Sequence, residues 1–233
     1  MLTIEKTVLP SAEQWGIIIE GMRNPMNSWD KSDSYTRYEG DCLAGCHECP
    51  SHGCNADWDL SDECFCIGDA DHGLMTKLAK GGAVHAKYRR MIPVWVTINA
   101  PLYWWKEFDT YKVGTVCNSC STMHKIHSKE FTLDDFSTEH LIGSSIQYMH
   151  YVIGELNSWR KDYLETADKK HWWQLIQLLP TSYNQKRTVM LNYEVLVNIY
   201  NSRKNHKLDE WHTFCDWIKT LPYSELITGG DTE

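Results

Sequence analysis

From Met91 onward the chain alternates apolar and polar residues with a period of two: Ile92, Val94, Val96 and Ile98 fall between Pro93, Trp95, Thr97 and Asn99. That pattern predicts a strand with one strongly buried face. Asn99-Ala100-Pro101 punctuates the strand, and because proline suits a first helical turn, LYWWKEF after it reads as an aromatic helix. Residues 2 to 9 alternate enough for another strand. Pro10-Ser11 then opens a helix with Trp15, Ile18, Ile19 and Met22 on one face, and Asn24-Pro25 ends it. The pattern also predicts a short helix over Leu74 to Leu78, a long one from about Ser144 to Glu165, another over His171 to Leu178, and a last one over Leu208 to Ile218. Gln185 to Leu191 reads as a strand, and Thr228 to Glu233 as a frayed tail. The fold class is therefore α+β, with mixed helices packed on a small central sheet. The organisation is one domain over residues 1 to 233, interrupted by a polar, Cys-rich insertion at about 42 to 66.

A chain of 233 residues can bury a sizeable core, and its 11 Trp and 12 Tyr supply large rigid packing units. A net charge of −8 argues against a general nucleic-acid binder, whose footprint would be basic. The opening MLTIEKTVLPSAEQW lacks an apolar core flanked by cations, and no apolar run is long enough to span a bilayer. A cytoplasmic protein without a membrane partner is expected.

Two regions carry candidate chemistry. Behind the strand-to-helix corner, Thr110, Tyr111, Asn118, Ser119, Ser121, Thr122 and His124 offer many donors and acceptors at modest charge. Such a set suits a neutral ring system better than a polyanion, and suits equally a Ser/Thr/Asn-rich loop that caps the next helix. The insertion holds six cysteines in 25 residues, Cys42, Cys46, Cys49, Cys54, Cys64 and Cys66, with His47, His52 and His72 nearby. Cys46 and Cys49 form a usable chelating pair and Cys64-x-Cys66 a tighter one. Structural Zn, unliganded thiols, an iron–sulfur cluster and a redox role are the readings. Cys117 and Cys120 share the Cys-x-x-Cys spacing without a thioredoxin-like context and read as buried small hydrophobes.

Together these segments resemble the flavin-dependent thymidylate synthases. His85 falls at the family's flavin-contacting histidine, and Ala100-Pro101 at its corner. Thr110-Tyr111-Lys112 stands at the Arg-His-Arg signature, while Asn118, Ser121, Met123 and His124 meet its Asn-x-x-Ser-x-Arg-Tyr tail. From Leu179-Pro180 to Arg203 the match runs without gaps and includes Asn192, Asn198 and Arg203. Thr110, Met123 and Ile176 depart from it by replacing arginines. If one helix ran through both Asn192 and Arg203, their eleven-residue spacing would put them on one face, with Asn198 well round from them. Arg89, Arg90, Lys169, Lys170 and Arg187 are the other cations available for an anionic ligand.

The resemblance implies FAD held by His85, Tyr111, Lys112, Asn192 and Asn198, and a pyrimidine nucleotide held by Asn118, Ser121 and Arg203. It also implies NADPH and methylenetetrahydrofolate as co-substrates, a homotetramer, and methylation of the nucleotide. Two alternatives follow from the missing arginines. One is a flavin enzyme acting on a different pyrimidine, for example by hydroxymethylation; the other is a noncatalytic nucleotide-binding or interaction protein with a zinc loop.

Overall fold

The computed structural model describes residues 1–37 and 64–230. Cys42, Cys46, Cys49 and Cys54, the first four candidate metal ligands, lie outside the described residues, as does the end of the expected tail. The chain divides into two compact units. The first comprises Met1–Thr7, Val96–Lys112 and Val116–Val189; the second comprises Val8–Trp95, Val113–Thr115 and Met190–Glu233. No described helix is long and apolar enough to cross a membrane.

The first unit is built on a four-stranded sheet in the order β1-β4-β6-β5, from β1 (Thr3–Val8), β4 (Pro93–Pro101), β5 (Val116–Ser119) and β6 (Asn184–Asn192). In β4 the period-two pattern holds, with Val94, Val96, Ile98 and Ala100 all buried. The strand runs through Asn99-Ala100 to Pro101, whose extended backbone (φ −68°, ψ 150°) makes it the N-cap of helix α3 (Leu102–Phe108) instead of its first helical residue. Trp104, Trp105 and Phe108 on α3 are buried, and the Trp105 indole donates to the Gln185 carbonyl at 2.9 Å. Helices α4 (Ser144–Thr166) and α5 (Lys169–Leu178) cover an apolar cluster of Ile126, Phe131, Phe136, Met149, Ile153, Leu156, Leu175 and Tyr183. Burial of the Tyr183 ring pushes its phenol up to about 12.

The second unit opens with α1 (Ala12–Arg23), capped as Ser11-x-x-Gln14 predicts: Ser11 Oγ accepts from Gln14 N at 3.3 Å, and Gln14 Oε1 accepts from Ser11 N at 2.9 Å. Trp15, Ile18, Ile19 and Met22 are buried as the helical period requires. Strand β2 (Tyr35–Arg37) pairs antiparallel with β3 (Cys64–Cys66), joining Arg37 to Cys64 and Tyr35 to Cys66. Helix α2 covers Asp69–Lys80, longer than the apolar pattern over 74 to 78 shows, because its first turn is polar and held by capping. Asp33 accepts from Ala70 N at 2.8 Å and Asp71 N at 3.1 Å, although it lies far upstream in sequence. A polar helix start capped from a distant loop leaves no local apolar trace.

The backbone at Gly68, the N-cap of α2, passes so close to Asp33 that an added Cβ would overlap its carboxylate. Gly68→Ala should therefore displace the cap and destabilise the protein by about 1 to 2 kcal/mol, the usual loss for a removed cap. Chemical denaturation checks this; an unchanged midpoint would show that Asp33 yields without loss.

The C-terminal part of this unit stacks α6 (Tyr193–Arg203), α7 (Asp209–Lys219) and α8 (Glu225–Thr228). On α7, Trp211, Cys215 and Ile218 are buried, as their spacing predicts. Tyr193 is fully buried and donates to the Pro222 carbonyl at 2.6 Å. Thr228 belongs to α8 and is buried, so the ordered chain extends past the point where a frayed tail was expected.

Candidate functional site

The described residues of the second unit line a half-open cavity of about 520 Å³, within the range of pockets that hold cofactor-sized ligands. Three pieces of chain that are distant in sequence form its wall. Helix α2 and the turn after it bring His72, Thr76, Lys80, Gly82 and Ala83; α6 brings Glu194, Val197, Asn198 and Asn201; α8 and the residues after it bring Glu225 to Gly230. Arg89, on the short 3-10 turn Lys87–Met91, completes the wall. The chain turns at Gly82 with φ +84°, a conformation that a side chain would strain, so the backbone can close on itself there.

Four of the wall's polar side chains fall into two pairs. Arg89 is 6 % exposed, and its Nη1 lies 3.6 Å from Glu194 Oε2, beyond hydrogen-bond range. Arg89 Nε, Glu194 Oε2 and Thr76 Oγ1 are all shielded from solvent without a hydrogen-bond partner. Leaving such groups unpaired costs about 1 to 3 kcal/mol each, so three around one cavity call for an explanation. The second pair is His72 Nε2 and Glu225 Oε1 at 2.7 Å, both about half exposed. An ionised carboxylate only accepts, so Nε2 is the donor there. The His72 ring lies 5.8 Å from the ring of Tyr223, which holds a left-handed backbone (φ +53°) that is rare for a bulky side chain. Lys80 and Arg89 on the wall are balanced by Glu194 and Glu225, so the cavity offers no strong field to a polyanion.

Of the residues singled out by sequence, Asn198 lies on this wall, exposed on α6. His85 does not line it, although Gly82 and Ala83 just before it do. His85 is exposed in the turn and donates its backbone N–H to Gly82 O at 2.9 Å. The helix does not run through Asn192, so the shared-face reading of Asn192 and Arg203 is corrected. Asn192 is the N-cap (φ −137°, ψ 170°), and its Oδ1 accepts from Val195 N at 3.1 Å. Its Nδ2 packs so closely on Gly114 that a Cβ there would sit 3.0 Å away. Arg203, at the other end of α6, stacks its guanidinium on Trp211 at 4.8 Å from the ring centroid.

The remaining candidates lie in the first unit. Thr110 Oγ1 donates to the Glu107 carbonyl at 2.7 Å, tying that side chain to the end of α3. Tyr111 packs its ring 6.5 Å from Phe108, and Lys112 is exposed. Asn118 is exposed on β5, an edge strand. Ser121 Oγ accepts from Met123 N at 3.3 Å and His124 N at 2.8 Å, the turn-capping role that was the alternative to ligand binding. Ile176 packs against the apolar cluster under α4 and α5, so its departure from arginine belongs to the core.

Cys117 and Cys120 are exposed, which corrects their reading as buried hydrophobes; every residue of the edge strand β5 is exposed, so neither of its faces buries a side chain. Cys117 lies on β5 and Cys120 one residue past its end, so an extended run between them sets their Cα atoms roughly 10 Å apart, too far for a disulfide without rearrangement. Among the described residues, no three His, Cys, Asp or Glu side chains are grouped to hold a metal ion.

Sequence reasoning missed Thr76, Glu194 and Glu225, named His72 only beside the candidate metal-binding cysteines, and saw Arg89 only as one cation among several. No local pattern signals them, since each becomes part of a site only when α2, the 3-10 turn, α6 and α8 meet. The one usable hint was Glu194 just inside the N-terminus of α6, where an acid is favoured in any case.

No protein-family model matches the sequence, and none of the curated proteins matches it. Solved structures do match. A thymidylate synthase X from Helicobacter pylori, crystallised with FAD and dUMP, aligns with a TM-score of 0.59 at 14% identity over 99% of this chain and 97% of that one. A second structure of the flavin-dependent enzyme from Helicobacter pylori, also with FAD and dUMP, gives 0.60 at 12% identity over 99% and 98%. A UMP/dUMP methylase from Streptomyces cacaoi bound with 5-Br dUMP gives 0.55 at 12% identity over 98% and 94%. Likeness at such identities is a likeness of fold, and by it this chain has the flavin-dependent thymidylate synthase fold.

Proposed function

We propose that the protein is a flavin-dependent enzyme acting on a pyrimidine nucleotide, with one-carbon transfer to the base, a methylation, as its reaction. The observation that carries this reading is the cavity of the second unit. It has cofactor size, balanced charge, three orphaned buried polar atoms, and Asn198 on its wall. The fit to an isoalloxazine is chemical: a flat, neutral, hydrogen-bonding ring matches a wall whose charges cancel. Flavin, when bound, supplies the hydride chemistry that protein side chains lack.

The residues of this chain would bind and orient. Asn198 would hold the ring from α6, and Gly82 and Ala83 would let the backbone approach it. His85, Tyr111, Lys112 and Asn192 are assigned to the cofactor by resemblance, and Asn118, Ser121 and Arg203 to the nucleotide. NADPH and methylenetetrahydrofolate as co-substrates and a homotetrameric assembly belong to the same proposal. A second reading, a related reaction on a different pyrimidine such as hydroxymethylation, is favoured by Met123 and Ile176. Neither supplies a cation, and Ile176 is held among apolar side chains.

Titrating FAD with the protein should quench or shift the flavin fluorescence. Asn198→Ala should weaken binding by about 0.5 to 1.5 kcal/mol, one hydrogen bond, or roughly two- to thirteenfold. Unchanged free-flavin fluorescence at saturating protein would remove the cofactor and the proposal with it. Parallel titrations of the FAD-loaded protein with dUMP and UMP compare the nucleotide readings.

A further inference from the structure

We propose that Arg89, Glu194 and Thr76 form a recognition site for an imide edge, a ring N–H flanked by two carbonyls, within the cavity of the second unit. This rests on the flavin and pyrimidine reading above, because both uracil and isoalloxazine carry that edge. It assigns the edge to three side chains to which the family resemblance gives no role.

The argument starts from the orphaned atoms. Arg89 Nε–H can only donate, Glu194 Oε2 can only accept when ionised, and the Thr76 hydroxyl can do either. Together they offer two donors and one acceptor, the complement of an imide's two acceptors and one donor. A cytosine-type edge, with two acceptors beside one amino donor and no ring N–H, would leave Glu194 facing a ring nitrogen lone pair. A phosphate would have to sit against the Glu194 carboxylate, with Glu225 on the same wall. Neither suits the site, whereas a neutral imide leaves Arg89 and Glu194 to balance each other.

The Arg89 and Glu194 side chains are largely buried, 8 % and 12 % exposed, yet stand 3.6 Å apart. Two opposite charges brought to that depth normally close to a bonded pair, because burial penalises each charge separately. A gap too wide for a direct bond leaves room in the hydrogen-bond inventory for a third party. In the structure all three atoms are covered by protein, so in the proposed complex side-chain rotation brings Nε, Oε2 and the Thr76 hydroxyl to the ligand edge. A carbonyl accepts from Arg89 Nε–H, the ring N–H donates to Glu194 Oε2, and the Thr76 hydroxyl donates to the other carbonyl. No bond is made or broken, so the site binds and orients the ring.

The test uses the full-length protein and phosphate-free probes: riboflavin and 3-methylriboflavin, uridine and 3-methyluridine, with cytidine as the mismatched edge. Binding is followed by flavin fluorescence or by ligand-observed NMR. At least one parent ring should bind, its N3-methyl derivative should bind at least about tenfold more weakly, and cytidine should not compete. The ring that shows the methyl effect identifies which ligand the site holds. Glu194→Leu should weaken the parent ring and abolish the discrimination, while Glu194→Gln, which keeps a carbonyl acceptor, should retain the discrimination at reduced affinity. If Glu194→Leu does not fold, the native chain and Glu194→Gln decide the matter alone. Equal binding of parent and methylated rings would mean that the orphaned atoms hold a bridging water only, and would overturn this site while leaving flavin binding standing. Binding of neither parent ring nor FAD would overturn both proposals.

Discussion

Asp71→Ala should destabilise the protein by about 3 to 5 kcal/mol, the cost of leaving a buried charge without its partner. Asp71 is fully buried and receives Arg23 Nε at 2.5 Å, while Arg23 itself is 3 % exposed. The carboxylate also accepts from the Ser32 and Ser34 hydroxyls at 2.7 and 2.6 Å and from the backbone of Asp33 and Ser34. Arg23 donates in turn to the Ser28 and Lys31 carbonyls. One ion pair thus ties the end of α1, residues 28 to 34 and the first turn of α2 together. Removing Asp71 strands the guanidinium and frees four donors, so the loss should greatly exceed that of a surface pair. Urea denaturation measures it, and a loss under about 1 kcal/mol would show that the loop re-forms around water.

The same pair sets an acid limit. Burial by itself would raise the Asp71 carboxyl; the hydrogen bonds from Ser34 and Ser32 and the charge and hydrogen bond of Arg23 outweigh it and hold the group below its ordinary value. A carboxyl depressed in the folded state contributes stability that is complete above its unfolded value, about 3.9, and is lost as pH falls through the folded one. Stability should therefore hold its Asp71 contribution down to about pH 4 and lose it below. Asp71→Asn, which cannot ionise, should flatten that part of the profile; an identical acid limb in both proteins would assign it to other carboxylates.

Trp211→Ala should cost about 3 to 5 kcal/mol, the range for deleting a large buried ring. Trp211 is fully buried on α7, packs edge-on against Phe214 at 6.0 Å between centroids, and carries the Arg203 guanidinium on its face. The variant has a second consequence through Arg203. A cation on an indole face is held by about 0.5 to 2 kcal/mol, so the stack fixes where this side chain can go. A cycle of Arg203→Ala and Trp211→Phe, read by thermal and chemical denaturation, should give coupling in that range. Additive effects would show that Arg203 rests on the ring without being held by it.

Periodicity described elements wherever one side of an element is buried and the other is open. The alternating face of β4, the stripe on α1, and Trp211, Cys215 and Ile218 on α7 are each a local pattern with one physical cause. Caps were equally readable at Ser11, because that signal also lies within four residues. The pattern failed where stabilisation comes from a distance. Helix α2 begins five residues before its apolar stripe because Asp33 caps it across the intervening insertion. Strand β5 is short, with its whole side-chain surface exposed, so it has no alternation to reveal it.

The sequence by itself determined the α+β class, most of the elements and, through matched segments such as Leu179-Pro180 to Arg203, the resemblance that the fold comparison bears out. These are properties of residues near one another in the chain, where burial of one face and satisfaction of backbone groups dictate the residue type. Only the tertiary structure decided what those residues face. It made Asn192 a helix cap, set Arg203 on Trp211, and placed Asn198 on a cavity beside Arg89, Glu194 and Thr76. Those three come from segments separated by up to 118 positions, and no residue among them differs in kind from a surface residue until packing removes its water. A site made of orphaned buried atoms is a property of the packed interior, where the cost of an unpaired group depends on every neighbour that excludes solvent.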